Sequence, residues 1–402
     1  MASINPVRSL ILDLPPSCVE FWPHEPEYAI VGTYHLEREE ASSAKQDKEE
    51  EGQQRSGSLV LLKVAENDVA IIQTLATPFA ILDVHFCPLT YGKPSLLGVA
   101  SSTGSVALYE LKKPAPESWS SSGKSSAYLS HFRTIQYFKY DVLVTAFMWH
   151  PIFTDTIGLT LSSGEVVLCS VGDDERSQDI MTLYSHDLEA WTLAFQRDGL
   201  GLLSGGDDST LRFQSLPSHH VHRISGITSE AEEQEKGGSL SLLTYLRDEN
   251  QLKICWTDQK IHGAGVTAIL PLDGDVVVTG SYDDHIRIVQ APSAGRRTVL
   301  AEMNLGGGVW RLKVVGNQTQ PLQETPDGTT KVILLVSCMH AGTRIVEIVK
   351  TGDGTWSLQV LAKFEEHKSM NYGSDFQPVS GAGERLFVST SFYDRLLCLW
   401  RF

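Results

Sequence analysis

Three stretches of this chain carry more polar residues than a tight turn needs. They are "GGDDSTLRF" from Gly205, "GSYDDHIRIV" from Gly280 and "SCMHAGTRIV" from Ser337. The first two double an aspartate; in the third a histidine stands where the first aspartate stood. A fourth, "SFYDRLLCLW" from Ser391, has Tyr393 at that point. An imidazole with an ordinary pKa of about 6.5 suits proton transfer at neutral pH, and a carboxylate beside it holds it in the basic orientation. His340 is therefore the candidate general base, with Asp283 or Asp207 as its partner. "SHDLEAW" (185–191) adds His186, Glu189 and Trp191. "GGGVWRL" (306–312) adds Trp310 and the amides of Gly307 and Gly308, and "HKSMNYG" (367–373) adds Tyr372. Tyr282 precedes the second aspartate pair. Other chemistries lack their motifs: there is no GxSxG elbow, no HExxH zinc spacing and no CxxC pair. The triple glycine is not a phosphate loop, because no helix or GK[ST] follows it.

These residues are far apart in sequence, so only a repeating scaffold brings them together. The runs "AIVGTY", "LLGVASSTGSVALYEL", "GLTLSSGEVVLC", "GLLSGGDDSTLRF", "VVVTGSYDDHIRIV", "ILLVSCMHAGTRIV" and "LFVSTSFYDRLLCLW" share one pattern. A β-branched apolar strand meets a turn of small residues, and a second alternating strand follows. Each run is preceded by a further strand such as "VEFWP", "VTAFMWHP" or "YGSDFQP". A spacing of about 45 residues is the blade period of a β-propeller. The fold class is all-β, a single seven-bladed WD-repeat β-propeller over residues 1–402. The chain stops at a third strand, "LLCLWRF", so "VRSLILDL" (7–14) is expected to supply the missing outer strand of the last blade. Loop insertions are expected at 37–57, 217–249 and 316–330.

WD repeats consume some of the candidate residues as structure. A His before the first strand, a Ser or Thr in the second, an Asp in the turn and a Trp in the third satisfy one another. The last blade has His367, Thr390, Asp394 and Trp400. The fourth has His186, Ser204 and Asp208, and the fifth His262, Thr279 and Asp284, each with a glutamine in place of the Trp. This leaves Asp207, Asp283, His340 and Tyr393 as the residues just before the structural aspartate. His340 is followed by Ala341 and so has no structural partner in its own turn. All lie on loops expected at one rim, where function normally sits over a rigid scaffold.

The net charge of −16 argues against nucleic acid, because binding phosphate draws on a surplus of Lys and Arg. No stretch approaches the roughly 20 apolar residues that span a bilayer, and the N-terminus has no cleavable signal pattern. Cysteines at 18, 87, 169, 255, 338 and 398 are widely spaced, which fits reduced thiols in a cytoplasmic protein.

In combination, "GTYHLE", "HDLEAW", "GSYDDHIR", "GGGVWRLK", "CMHAG" and "SFYDRLLCLW" resemble the diphthine methyl ester hydrolase family of diphthamide biosynthesis. The resemblance implies an esterase, without metal or organic cofactor, that demethylates the methylated diphthine on translation elongation factor 2 and releases methanol. Under it, His340 is the base, aided by Asp283, Asp207, Glu189 or His186. Tyr393 or the Gly307 and Gly308 amides stabilise the oxyanion. The substrate's trimethylammonium group calls for aromatic faces, offered by Trp310, Trp191, Tyr393, Tyr372 and Tyr282. Cys338, two residues before His340, is an alternative nucleophile. A non-catalytic adaptor that binds a protein through the same rim is the other reading. No obligate oligomer follows from the sequence.

Overall fold

The computed structural model describes residues 2–37, 54–88, 96–113, 126–172, 179–216, 242–243, 246, 254–316, 325–378 and 383–402. Most of the three expected insertions lies outside these residues. At their described margins the chain is ordered. His35–Leu36 pairs with Arg55 and Ser56, and Thr325–Thr329 forms a closed turn before the strand Thr330–Ser337.

The strands form seven antiparallel sheets, each with a core of four strands in meander order, the fold class of a seven-bladed β-propeller. The chain divides into two compact units. The first, Met1–Val144 with Met339–Thr343 and Ala362–Phe402, holds three blades. Blade one is Pro16–Phe21, Tyr28–Thr33, Arg55–Val64 and Val69–Thr77; blade two is Ile81–Phe86, Leu96–Ser101, Ser105–Lys112 and Tyr128–Gln136. Blade seven is Gly373–Phe376, Leu386–Ser391 and Leu396–Arg401, with Arg8–Ile11 as its outer strand, Arg8 opposite Leu399 and Ile11 opposite Leu396. Ala2–Ser3 adds a short parallel strand beside Ala362 and Lys363, which nothing in two such residues announces.

The second unit, Thr145–Cys338 with Arg344–Leu361, holds the bulk of blades three to six. Blade three is Val144–Trp149, Thr156–Leu161, Glu165–Ser170 and Ile180–Ser185. Blade four is Ala190–Phe195, Gly201–Gly206, Leu211–Ser215 and Ile254–Asp258. Blade five is Val266–Pro271, Val276–Ser281, His285–Gln290 and Thr298–Asn304. Blade six is Arg311–Val314, Thr330–Ser337, Thr343–Lys350 and Trp356–Phe364.

Second strands such as Tyr28–Thr33 and Val276–Ser281 are buried along their whole length, because both faces meet neighbouring sheets. Outer strands such as Val69–Thr77 instead mix exposed and buried residues. Packing is tight at the small residue before the turns of blades four and five. A Cβ on Gly205 would lie 2.5 Å from Val266, and one on Gly280 would collide with Val309, each at the entry of the next blade. Hydroxyls reinforce the same joints: Ser17 donates to the Ile81 carbonyl at 2.6 Å, Thr145 to that of Ala190 and Thr267 to that of Val309. The rim turns are therefore held from both sides.

Candidate active site

The structural hydrogen bonds decide which polar residues remain for chemistry. In blade four the His186 Nδ1–H donates to Asp208 at 2.9 Å, and the Ser204 hydroxyl donates to Nε2 at 2.8 Å. Asp208 also accepts the Asp187 and Thr210 amides, both at 3.0 Å. Burial alone would raise its pKa, but His186 and Thr210 hold it well below the usual carboxylate range. His186 is thus a scaffold residue with both ring nitrogens committed, which corrects its expected role as a catalytic assistant.

Blade five overturns a second expectation. The residue that accepts the Gly263 amide at 2.8 Å, the His285 amide at 3.1 Å and both Arg287 amino groups at 2.8 and 2.9 Å is Asp283, not Asp284. It therefore corresponds to Asp208. Asp284 takes the left-handed position that follows, at φ 65°, matching Ser209 at 59° and Arg395 at 56°. Burial would raise the Asp283 pKa, yet Arg287 and the two amides hold it at about 2. A carboxylate so engaged is a poor orienter for His340. The residue just before the structural aspartate in this blade is Tyr282.

A third correction concerns blade seven, where His367 Nε2 and Trp400 Nε1 meet Ser389 Oγ at 2.8 and 2.9 Å. Thr390 instead bonds the Gly373 carbonyl. Asp394 stands at the structural position, accepting the Lys368 amide at 3.2 Å and the Ser369 hydroxyl at 2.7 Å.

With the register settled, the turn position before the structural aspartate holds Asp207, Tyr282, His340 and Tyr393 in blades four to seven. In the second unit two of these sit in one cluster. The Trp191 and Trp310 ring centroids lie 5.6 Å apart, and Tyr282 lies 6.0 Å from Trp310. Gly265 separates Asp207 from Tyr282: a Cβ there would come within 2.9 Å of both side chains, and its carbonyl accepts the Tyr282 amide at 3.0 Å. The Asp207 amide bonds the Glu189 carbonyl at 2.9 Å, anchoring the turn on the loop that carries Trp191. Burial raises the Asp207 pKa. The Trp191 indole tempers that rise, though its buried Nε1–H closes no hydrogen bond, and the charges of Glu189 and Asp208 add to it. Three half-buried aromatic rings beside one desolvated carboxylate are surroundings of the kind that suit a soft organic cation.

Gly306, at φ 83°, turns the chain into this cluster while its amide bonds the Asn304 side chain at 2.9 Å. The amides of Gly307 and Gly308 are buried and have no acceptor among the described residues. Free backbone donors next to Trp310 are the kind of group that stabilises a developing oxyanion.

In the first unit His340 is exposed on the blade-six turn, between Met339 at φ 42° and Gly342 at φ 77°. Sequence reasoning missed what holds this turn. Buried Asn371 donates its amide to the Met339 carbonyl at 3.0 Å and its side chain to Thr390 at 2.7 Å, while Thr343 donates to Asn371 Oδ1 at 3.1 Å. The signal was an asparagine facing the one turn whose structural aspartate has become Ala341. Tyr372 and Tyr393 flank Phe392, at 5.5 and 5.1 Å, and Tyr34 adds a further ring at 6.3 Å. Burial, and then the Tyr393 phenol, raise the Tyr372 pKa. Cys338 is fully enclosed and its thiol is pushed up to about 12 by burial, which removes it as a nucleophile.

A family model described as "WD domain, G-beta repeat" matches residues 177–213. Curated relatives span nearly the whole chain. The diphthine methyltransferase of Schizosaccharomyces pombe is 27% identical, covering 92% of this chain and 90% of that protein. That of Saccharomyces cerevisiae is 25% identical, covering 96% and 95%. Over nearly its whole length this chain is similar to the diphthine methyltransferases of the two yeasts. The Homo sapiens diphthine methyltransferase is 26% identical over 86% of this chain and 68% of its own length. Among solved structures, a chain of the Mitotic Checkpoint Complex aligns with a TM-score of 0.60 at 14% identity, covering 100% of this chain and 93% of that one. Sqt1 of Chaetomium thermophilum, bound to the N-terminus of the ribosomal protein L10, aligns at 0.55 and 15%, covering 94% and 82%. At those identities the structural matches speak for the fold alone.

Proposed function

We propose that this chain is a carboxylic ester hydrolase that demethylates methylated diphthine on translation elongation factor 2. Water attacks the ester carbonyl, the bond to the methoxy oxygen breaks, and methanol leaves with the proton. The diphthine carboxylate remains for later amidation. The name of its relatives records diphthine's methyl group as the group that changes hands; with water as the acyl acceptor, that methyl leaves on its own ester oxygen as methanol. The observation that carries the reading is the Trp191, Trp310 and Tyr282 cluster beside Asp207, which suits the fixed charge of a trimethylammonium group.

In this reading the aromatic cluster holds the cation and the Gly307 and Gly308 amides receive the carbonyl oxygen. In the first unit His340 is the candidate general base, since its imidazole is exposed and bears no scaffold duty. Glu189 adds negative potential. Tyr372 and Tyr393 contact the protein around the modified side chain. The reaction uses no metal or organic cofactor, and its substrate places it in the cytoplasm; no helix among the described residues is long and apolar enough to cross a membrane.

A test is to incubate the purified chain with the methylated factor in water enriched in heavy oxygen. Hydrolysis predicts free methanol and one heavy oxygen in the diphthine carboxylate. Methyl transfer to another acceptor would give neither. The adaptor reading draws on Leu188 and Tyr393, 53% and 71% exposed on rim loops, and predicts binding of the factor with no change in its mass.

A further inference from the structure

The outer surface of the second unit carries a feature that ester hydrolysis leaves unused. A groove of about 1230 Å³ runs between the outermost strands of blades four and five. One wall is Thr257–Ile261, and the other is Gly295–Val299 with Glu302. Among the described residues both strands are the last of their sheets, so each presents an edge to which an extended segment can add.

The charge in this groove runs against that of the molecule. Its two carboxylates are already engaged: Asp258 pairs with Arg297 at 3.5 Å, and Glu302 pairs with Arg287 at 3.1 Å. Arg297 is further held over the Trp256 ring, 5.1 Å from its centroid. Lys260 and Arg296 are exposed, and their side chains have neither an ion-pair nor a hydrogen-bond partner among the described residues, the Lys260 backbone amide alone bonding Asp258 at 2.9 Å. In a chain of net charge −16, two unpaired cations at one groove are a local exception. Ile261 and half-exposed Val299 give the same groove apolar contacts.

We infer that this groove binds an extended acidic segment of a protein partner, with its carboxylates on Lys260 and Arg296 and its alternate apolar side chains on Ile261 and Val299. A polyphosphate is disfavoured, because a charge at every unit would meet Asp258, Glu302 and the surrounding negative field. An alternating acidic and apolar strand places charge on one face only, as a strand's two-residue period requires.

The test is fluorescence anisotropy with a short labelled peptide of alternating glutamate and valine, against the same peptide with lysine for glutamate and against a labelled RNA oligonucleotide. The wild-type chain should bind the glutamate peptide, more weakly as salt rises, and neither of the others. The Lys260→Glu/Arg296→Glu variant should weaken binding by at least about tenfold, and Lys260→Ala/Arg296→Ala by less. Both should retain ester hydrolysis, which separates this site from the one proposed above. No binding of the glutamate peptide, equal binding by the charge-reversed variant, or tighter binding of the RNA would each overturn the inference.

Discussion

Asp207 and Asp208 are neighbours in sequence with opposite electrostatic surroundings. Asp208 is surrounded by donors that favour its charge, whereas Asp207 is half-buried beside Trp191 and two like charges. A carboxylate in the second situation interacts strongly with a cation that shares its desolvated pocket. Asp207→Asn should therefore raise KM for the trimethylammonium ester with little change in kcat, about tenfold if the interaction is worth about 1.4 kcal/mol. Steady-state kinetics on the methylated factor reads this directly. His340→Ala should lower kcat by about 10²- to 10⁴-fold, the usual contribution of a general base, while leaving the thermal midpoint unchanged because the side chain is exposed.

Within a blade, the turn between the second and third strands sorts scaffold from site. Asp283→Ala removes the acceptor of two backbone amides and of Arg287, and is expected to cost roughly 1–3 kcal/mol, visible as a lowered urea midpoint. Asp284→Gly should be neutral or slightly stabilising, because Asp284 occupies the left-handed region that glycine adopts freely. Adjacent residues in one doublet thus give opposite outcomes. The doublet itself hid this: two identical side chains allow a one-residue slip, and only the backbone angle that follows separates them. The same ambiguity affected Ser389 and Thr390, neighbouring hydroxyls that point to opposite faces of one strand. The strands were legible because β-branched runs ended at glycine and serine turns. That Trp191, Trp310 and Asp207 would lie near one another was legible because the repeat carries their loops on neighbouring blades. Asn371 was not, since its role depends on the absence of an aspartate in a different blade.

At the scale of the whole molecule, buried histidines set the response to pH. His150, His262 and His367 are each held at about 4, chiefly by burial. Unfolding lets them bind protons from about 6.5 downward, so the stability they contribute is present above pH 6.5 and is lost as pH falls towards 4. His85 is the reverse case. Burial alone would lower its pKa, but Asp83 and Glu20, the latter at 2.7 Å, raise it to about 9. Its contribution is complete below pH 6.5 and disappears as pH rises through 9. Thermal midpoints should therefore peak near pH 6.5 and fall on both sides. His85→Gln should flatten the alkaline limb alone, and an unchanged alkaline limb in that variant would refute the assignment.

The most direct measurement is single-turnover methanol release by the wild-type chain and by Trp310→Ala, on the trimethylammonium methyl ester and on the same ester carrying a primary amine. Hydrolysis guided by the aromatic cluster predicts that the wild type releases methanol faster from the quaternary substrate and that Trp310→Ala loses this preference. Equal rates on the two esters, or a preference that survives in Trp310→Ala, would contradict it.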